Sequence, residues 1–210
     1  MEKNMLRDRG KGLPIVTDEM WDSVEKHNRD IVDEFLDSNK HLSKQSIKQY
    51  TSGLRQFFYF VKTNLKDKPL YKITKRDFIK YFSWLQENGL SSSSLKFKKS
   101  AVSTLCKFVE NIIAEDEEDY ETFRNFTVAI KDIPNNKVYE KIAISQDEYE
   151  LIMKTLEDRS NYLGMAWVAT AYNVGARRNE IIQFKTEITE YEKEDGLNFI
   201  ETHIVMGKGR

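Results

Sequence analysis

Cysteine is almost absent. Cys106 stands alone in 210 residues, so no internal disulfide can brace this chain. Long apolar runs are missing as well: none approaches the roughly 20 residues that a membrane-spanning helix needs. The opening segment, MEKNMLRDRGKGLPIV, holds no apolar stretch of signal-peptide length. Together these absences point to a soluble intracellular protein. No internal repeat is apparent. What is present can build a core: 40% of the residues are hydrophobic, 12% aromatic and 32% charged, which is not the composition of a disordered chain. The length suits one large domain or two small ones.

Acidic residues are scarce in one particular place. The formal net charge is -1, yet residues 40–110 hold 15 Lys and Arg against 4 Asp and Glu, while the remainder holds 18 against 30. One block can therefore meet a polyanion although the whole molecule is near neutral.

The order of elements follows from caps and periodicity. Residues 1–16 read as a loose leader. Thr17 is placed to cap a helix carrying Trp21, Val24, Ile31, Val32 and Phe35 at helical spacing. A second helix is expected from about Ser43 to Leu65, a third from Thr74, with Asp77 at its N3 position, to near Gly89, and a fourth from the run Ser91–Ser94 to about Ile113. Four serines could mark a linker, but Val102, Leu105, Val109 and Ile112 follow at helical spacing and make serine the cap. AEDEEDYE, Ala114 to Glu121, reads as a solvated helix end or linker. Asp132 to Ile144 reads as a connector. Ser145 with Glu148 forms a capping box, and a later helix around Tyr162 to Tyr172 ends at Gly175. Ile188–Tyr191 and Phe199–Val205 read as two strands around Asp195-Gly196. The expected division is a leader over 1–16, a helical domain over 17–124, a linker over 125–144 and the start of a mixed domain over 145–210.

The basic block has a geometry. On a helical wheel Ile47, Tyr50, Leu54, Phe57, Phe58, Val61 and Leu65 share one arc of the second helix. Lys44, Lys48, Arg55 and Lys62 form a stripe about 100° from its centre, with Ser52 and Tyr59 beside it. The fourth helix repeats the design with Lys96, Lys99, Ser100, Ser103 and Lys107. A single cationic stripe is usually a solvated face. Two such edges with almost no balancing acid favour nucleic acid, because Lys and Arg neutralise phosphate while Ser donates to phosphate or base edges. Rigid helices suit duplex DNA, and no aromatic-bearing strand motif for RNA is present.

Two further features carry charge. In NVGARRNEIIQF, Asn173 to Phe184, a wheel places Arg177 along the direction of Ile181 and Phe184, so it is expected to point inward, with Arg178 about 100° round toward the rim. Glu180 is three residues on and can reach back to Arg177. Either the two form an internal pair, or Glu180 orients Arg177 toward an external anion. At the end of the sequence, His203 to Met206 reads as a strand and Gly207-Lys208-Gly209 as a turn that projects Lys208. This lone GKG is not a P-loop.

Gly175-Ala176-Arg177-Arg178-Asn179-Glu180, followed by Ile181, Ile182 and Phe184, resembles the Gly-x-Arg-x-x-Glu motif of the tyrosine recombinases, or phage-type integrases. Val205-Met206-Gly207-Lys208-Gly209 resembles their lysine hairpin, and the segments from Leu42-Ser43 and from Leu90-Ser91 resemble their DNA-gripping helices. The resemblance runs from about residue 25 to the end. It implies a mainly α chain: a four-helix SAM-like core-binding domain, then the start of an α+β catalytic domain with a β-hairpin. It also implies site-specific recombination of DNA without metal or nucleotide cofactor. A tyrosine would attack a backbone phosphate and form a covalent link. Arg177 would hold the nonbridging oxygens, Glu180 would support Arg177, and Lys208 would protonate the leaving 5′ oxygen. Double-stranded DNA would be contacted by Lys44, Lys48, Ser52, Arg55, Lys62, Lys96, Lys99, Ser100, Ser103 and Lys107. The family's later His-x-x-Arg box and its tyrosine are not found. His27, His41 and His203 lack the right context, and Tyr191 precedes the lysine. The sequence is therefore expected to be the N-terminal part of a longer enzyme, inactive alone, acting in the cytoplasm on DNA and self-associating as a tetramer on paired sites, with no membrane partner. A DNA-binding regulator or accessory factor that does not cut is the alternative, and a helical protein-interaction module a more distant one.

Overall fold

The computed structural model describes residues 13–134, 143–192, 196, 200–201 and 203–207. The chain divides into two compact units, Met1–Tyr139 and Glu140–Arg210. Among the described residues every regular element is helical.

Hydroxyl and carboxylate caps set the helix starts in the first unit. Its helices are α1 (Asp18–Asp22), α2 (Lys26–Ser38), α3 (Lys44–Asn64), α4 (Lys75–Glu87), α5 (Ser92–Phe108) and the short α6 (Ala114–Asp116). Thr17, Ser43 and Ser91 accept from the backbone N–H groups of Met20, Ser46 and Ser94. Thr74 and Asp77 close a reciprocal capping box. The serine run is thus a helix start. The first predicted helix is in fact two. Ser23 donates its hydroxyl to the Met20 carbonyl at 2.7 Å, and the Glu25 carboxylate recaps the chain by accepting from Asn28 N–H at 3.0 Å. Apolar spacing alone misses this break because Trp21, Val24 and Ile31 are buried on both sides of it.

The core of this unit is aromatic. Phe57 lies edge-on to Phe58 and Tyr81 with ring centres 5.1 and 5.0 Å apart, and stacks on Phe126 at 6.0 Å. α5 runs into a π-helical turn, Val109–Ile113, which advances the phase of the inward face. Ile112, predicted to face inward, is consequently 50% exposed, and Ile113 replaces it at 4%. The acidic block keeps its carboxylates outside but carries Tyr120, which is fully buried. Its hydroxyl lies 3.0 Å from His27 Nε2 and its ring packs edge-on against Tyr71. Phe123 and Phe126 then enter the same core, so the segment after the block closes the bottom of the unit.

Two buried polar side chains pin the α3–α4 connection. Asn28 donates to the Lys68 carbonyl and accepts from Leu70 N–H at 2.8 Å. Asp77 accepts from Lys68 Nζ at 2.9 Å and from the Thr74 N–H and hydroxyl. Burial pushes the Asp77 carboxyl up, but Lys68 and Thr74 outweigh it and hold it below its ordinary 3.8.

In the second unit, α7 (Gln146–Asp158) starts at the Ser145–Glu148 capping box. α8 (Tyr162–Val174) ends at Gly175, whose φ of 65° is the left-handed conformation of a helix C-terminus. α9 (Arg178–Ile181) follows. Tyr149 of α7 stacks on Tyr172 of α8 at 4.2 Å. Ile181 is the one buried residue among those described here. Leu163, Trp167, Ile181, Ile182, Phe184 and Ile188 line an open apolar hollow of about 840 Å³.

The predicted strand over Ile188–Tyr191 is not formed. Thr186–Glu190 is a 3-10 helix, closed by local bonds from Ile188 N–H to Lys185 O and from the Thr189 hydroxyl to Thr186 O. The segment reads as a strand beside Asp195-Gly196, but short-range partners satisfy its backbone instead. His203–Gly207 is irregular, and no hairpin is found among the described residues. The described residues of the predicted second strand, 200–201 and 203–205, form no strand either, while Asp195, Phe199, Thr202 and Lys208 at the other tip lie outside the described residues.

Asp77→Asn tests the buried pin. A depressed folded pKa means a contribution that is complete above the unfolded value near 4 and lost as pH falls through the folded one. The variant is expected to lose about 1–2 kcal/mol at neutral pH and to show a flatter decline of stability below pH ~4 in urea titrations.

Candidate nucleic-acid interface and anion clamp

The ten basic and hydroxyl residues predicted to meet DNA fall into two groups. On α5, Lys96, Lys99, Ser100, Ser103 and Lys107 line one open hollow of about 450 Å³. A helix rises ~1.5 Å per residue, so Lys96 to Lys107 spans roughly 16 Å of axis. Residues 131–133 form the opposite wall and add Lys131, with Asp132 as the one carboxylate. Lys131 was not legible in the helical wheel, because it comes from a different segment, although its cationic character is plain. Ser103 is partly engaged, accepting from Asn125 Nδ2 at 3.2 Å. Four ammonium groups against one carboxylate in a hollow open to solvent form an anion-attracting edge.

The α3 group does not line this hollow. Lys44, Lys48 and Ser52 are exposed. Arg55 donates to Asp18 Oδ1 at 2.6 Å, and its guanidinium lies 5.4 Å from the centre of the Trp21 ring. Lys62 donates to the Ser23 carbonyl and lies 3.4 Å from Asp67 Oδ2. Lys98 is a third case. It leaves α5 about 200° round from Lys96 and lines a separate hollow with Ser52, Gln56 and residues 13–16. Burial there lowers its pKa to about 8.

In the second unit Arg177 does not point inward. It is the residue that caps α9, with extended backbone (φ -72°, ψ 154°), and its side chain is 74% exposed. The wheel assumed helical geometry at a position where the helix has not begun. Arg178 is exposed too. The expected pairing with Glu180 is present and has two arms: one carboxylate oxygen accepts from Arg177 N–H at 2.7 Å, the other from Nη1 at 3.0 Å. The backbone bond, then the guanidinium, hold the Glu180 carboxyl below its usual range. Glu180 is 17% exposed, so a half-sunk carboxylate fixes a guanidinium that faces outward.

Gln183 brings the chain's last described segment to this pair. Its amide donates to Met206 O at 3.1 Å and accepts from Met206 N–H at 2.8 Å, as a neighbouring strand would. Its carbonyl accepts from His203 Nε2 at 2.9 Å, which gives His203 a structural role. A Cβ added to Gly207 would sit 3.5 Å from Glu180 Oε1. Gln183 was missed in the sequence, where nothing distinguishes it from a solvent-facing helix residue. No group of three or more His, Cys, Asp or Glu is arranged to hold a metal among the described residues, and no described helix is long and apolar enough to cross a membrane.

Comparison with known proteins adds two findings. Residues 29–115 match the family of the phage integrase N-terminal SAM-like domain. The whole chain is 50% identical to the SPbeta prophage-derived recombinase-like protein YomM of Bacillus subtilis (strain 168), of which it spans 63%. No solved structure matches.

Gln183→Ala removes both side-chain bonds to Met206. Hydrogen exchange at the Met206 amide is expected to accelerate about tenfold, with α7 and α8 unchanged.

Proposed function

The chain belongs to the phage integrase family of tyrosine recombinases, and from that premise we propose that its first unit grips duplex DNA while its second supplies the anion clamp of a strand-exchange centre. The observation that carries the first half is the α5 hollow, where Lys96, Lys99, Lys107 and Lys131 face a single carboxylate. Such a surface neutralises phosphates, and its hydroxyls position the duplex. Exposed Lys44, Lys48 and Ser52 on α3 extend the contact.

The second half rests on Arg177 and Glu180. An exposed guanidinium held by a half-sunk carboxylate is oriented before the ligand arrives, which suits charge that builds on a phosphate. In this proposal Arg177 binds the nonbridging oxygens of the scissile phosphate, and Glu180 is its positioning residue. Lys208, two residues beyond Met206 in the sequence, gives its proton to the leaving 5′ oxygen. Arg178 is a flanking contact. The reaction needs no metal or nucleotide, and several copies assemble on paired sites. The apolar hollow of the second unit is the face on which the rest of the catalytic domain packs. Its exposed Leu163 and Ile182 support that assignment.

Two measurements separate the halves. Lys96→Glu with Lys99→Glu and Lys107→Glu is expected to weaken duplex binding at least 100-fold near 0.1 M salt and to reduce the slope of log K against log salt by about 2.7, at ~0.9 per phosphate. Unchanged binding would remove the α5 surface. Arg177→Ala in the complete protein is expected to slow strand cleavage about 10²–10³-fold with binding kept within about twofold. Full cleavage by that variant would remove the clamp, whereas binding without any cleavage by the wild type would leave a DNA-binding regulator.

A further inference from the structure

The N-terminal run before α2 lies along the α3 stripe that is assigned to DNA. Asp18 of α1 takes Arg55 in a 2.6 Å ion pair, and Trp21 of α1 covers the same guanidinium. The Ser23 carbonyl takes Lys62. Residues 13–16 wall a hollow over Ser52, Gln56 and Lys98. The stripe is therefore divided: toward its start Lys44 and Lys48 are exposed and their side chains make no hydrogen bond or ion pair among the described residues, while further along it Arg55 and Lys62 are already occupied.

We propose that α1 is an intramolecular competitor for DNA, its Asp18 carboxylate holding Arg55 in place of a backbone phosphate. This rests on the first unit being a DNA-binding domain and adds a regulation of that surface. The geometry suits exchange. The Asp18 side chain is 82% exposed and that of Arg55 28% exposed, so the pair sits at the surface, where such pairs shift an equilibrium by only a few-fold. Trp21 and Val24 are buried and keep α1 in place. Only the carboxylate has to be displaced, and a phosphate offers the guanidinium the same pair of acceptor oxygens. With Asp18 bound, the unit presents one cation fewer to DNA than its sequence contains.

The test compares two charge-neutralising variants in salt-titrated binding to a short duplex. Asp18→Asn keeps the shape and frees Arg55. It is expected to bind about threefold tighter and to steepen the salt slope by about 0.9, the release of one more counterion. Asp22→Asn changes the net charge equally, but Asp22 pairs with Arg29, outside the stripe, at 3.4 Å; its slope is expected to match the wild type. Adding Arg55→Gln to Asp18→Asn is expected to cancel the gain. An Asp18→Asn slope equal to the wild type, or an Asp22→Asn gain as large, overturns the competitor. Absence of wild-type duplex binding would instead remove the DNA-binding reading itself, so the two failures are distinguishable.

Discussion

The first unit depends on one close approach. α3 crosses α5 where Gly53 faces Ala101, and a Cβ on Gly53 would stand 3.2 Å from that of Ala101 and 3.6 Å from the Phe97 ring. No larger side chain fits there without moving a helix. The crossing fixes how α5 is rotated. Leu95, Val102 and Leu105 go into the core, Lys98 turns toward Ser52 and Gln56 of α3, and the edge from Lys96 to Lys107 faces residues 131–133. The cationic hollow is thus a consequence of core packing, with rigid walls made before any ligand arrives.

The second unit uses a smaller device to a similar end. Gly175 stops α8 in the left-handed conformation, and Arg177 enters α9 as its cap, outside the helical ladder. Glu180 then serves the Arg177 backbone and guanidinium at once. Such a charged hydrogen bond is stronger than a neutral one and favours the ionised carboxylate. The clamp owes its orientation to three residues of local chain, which lets it form on a unit that buries little else among its described residues.

The helices were legible wherever a cap and an apolar period agreed, as at Ser43 and α3 or Ser91 and α5. They were misread where period and cap disagreed. Trp21 to Phe35 keeps its spacing across a break that Ser23 and Glu25 impose, and Ile112 loses its inward place to a π turn that no wheel anticipates. The Arg177–Glu180 pair was visible in its three-residue spacing, but its direction was not, since a capping residue does not obey helical angles. Contacts between distant segments were beyond a wheel of any kind. Asp18 reaches Arg55 across 37 residues, and Lys131 joins α5 from a segment with no period of its own. The cationic composition of residues 40–110 pointed to a basic surface; packing shows that Arg55 and Lys62 are engaged within the chain and that Lys131 joins the α5 edge.

Lysine-reactivity footprinting in the presence of duplex DNA tests the central claim most directly. Bound DNA is predicted to protect Lys96, Lys99, Lys107 and Lys131 together, while exposed lysines outside the block's assigned surface, such as Lys26 and Lys154, keep their free reactivity. Protection confined to the second unit, or four α5-hollow lysines as reactive with DNA as without it, would contradict the account.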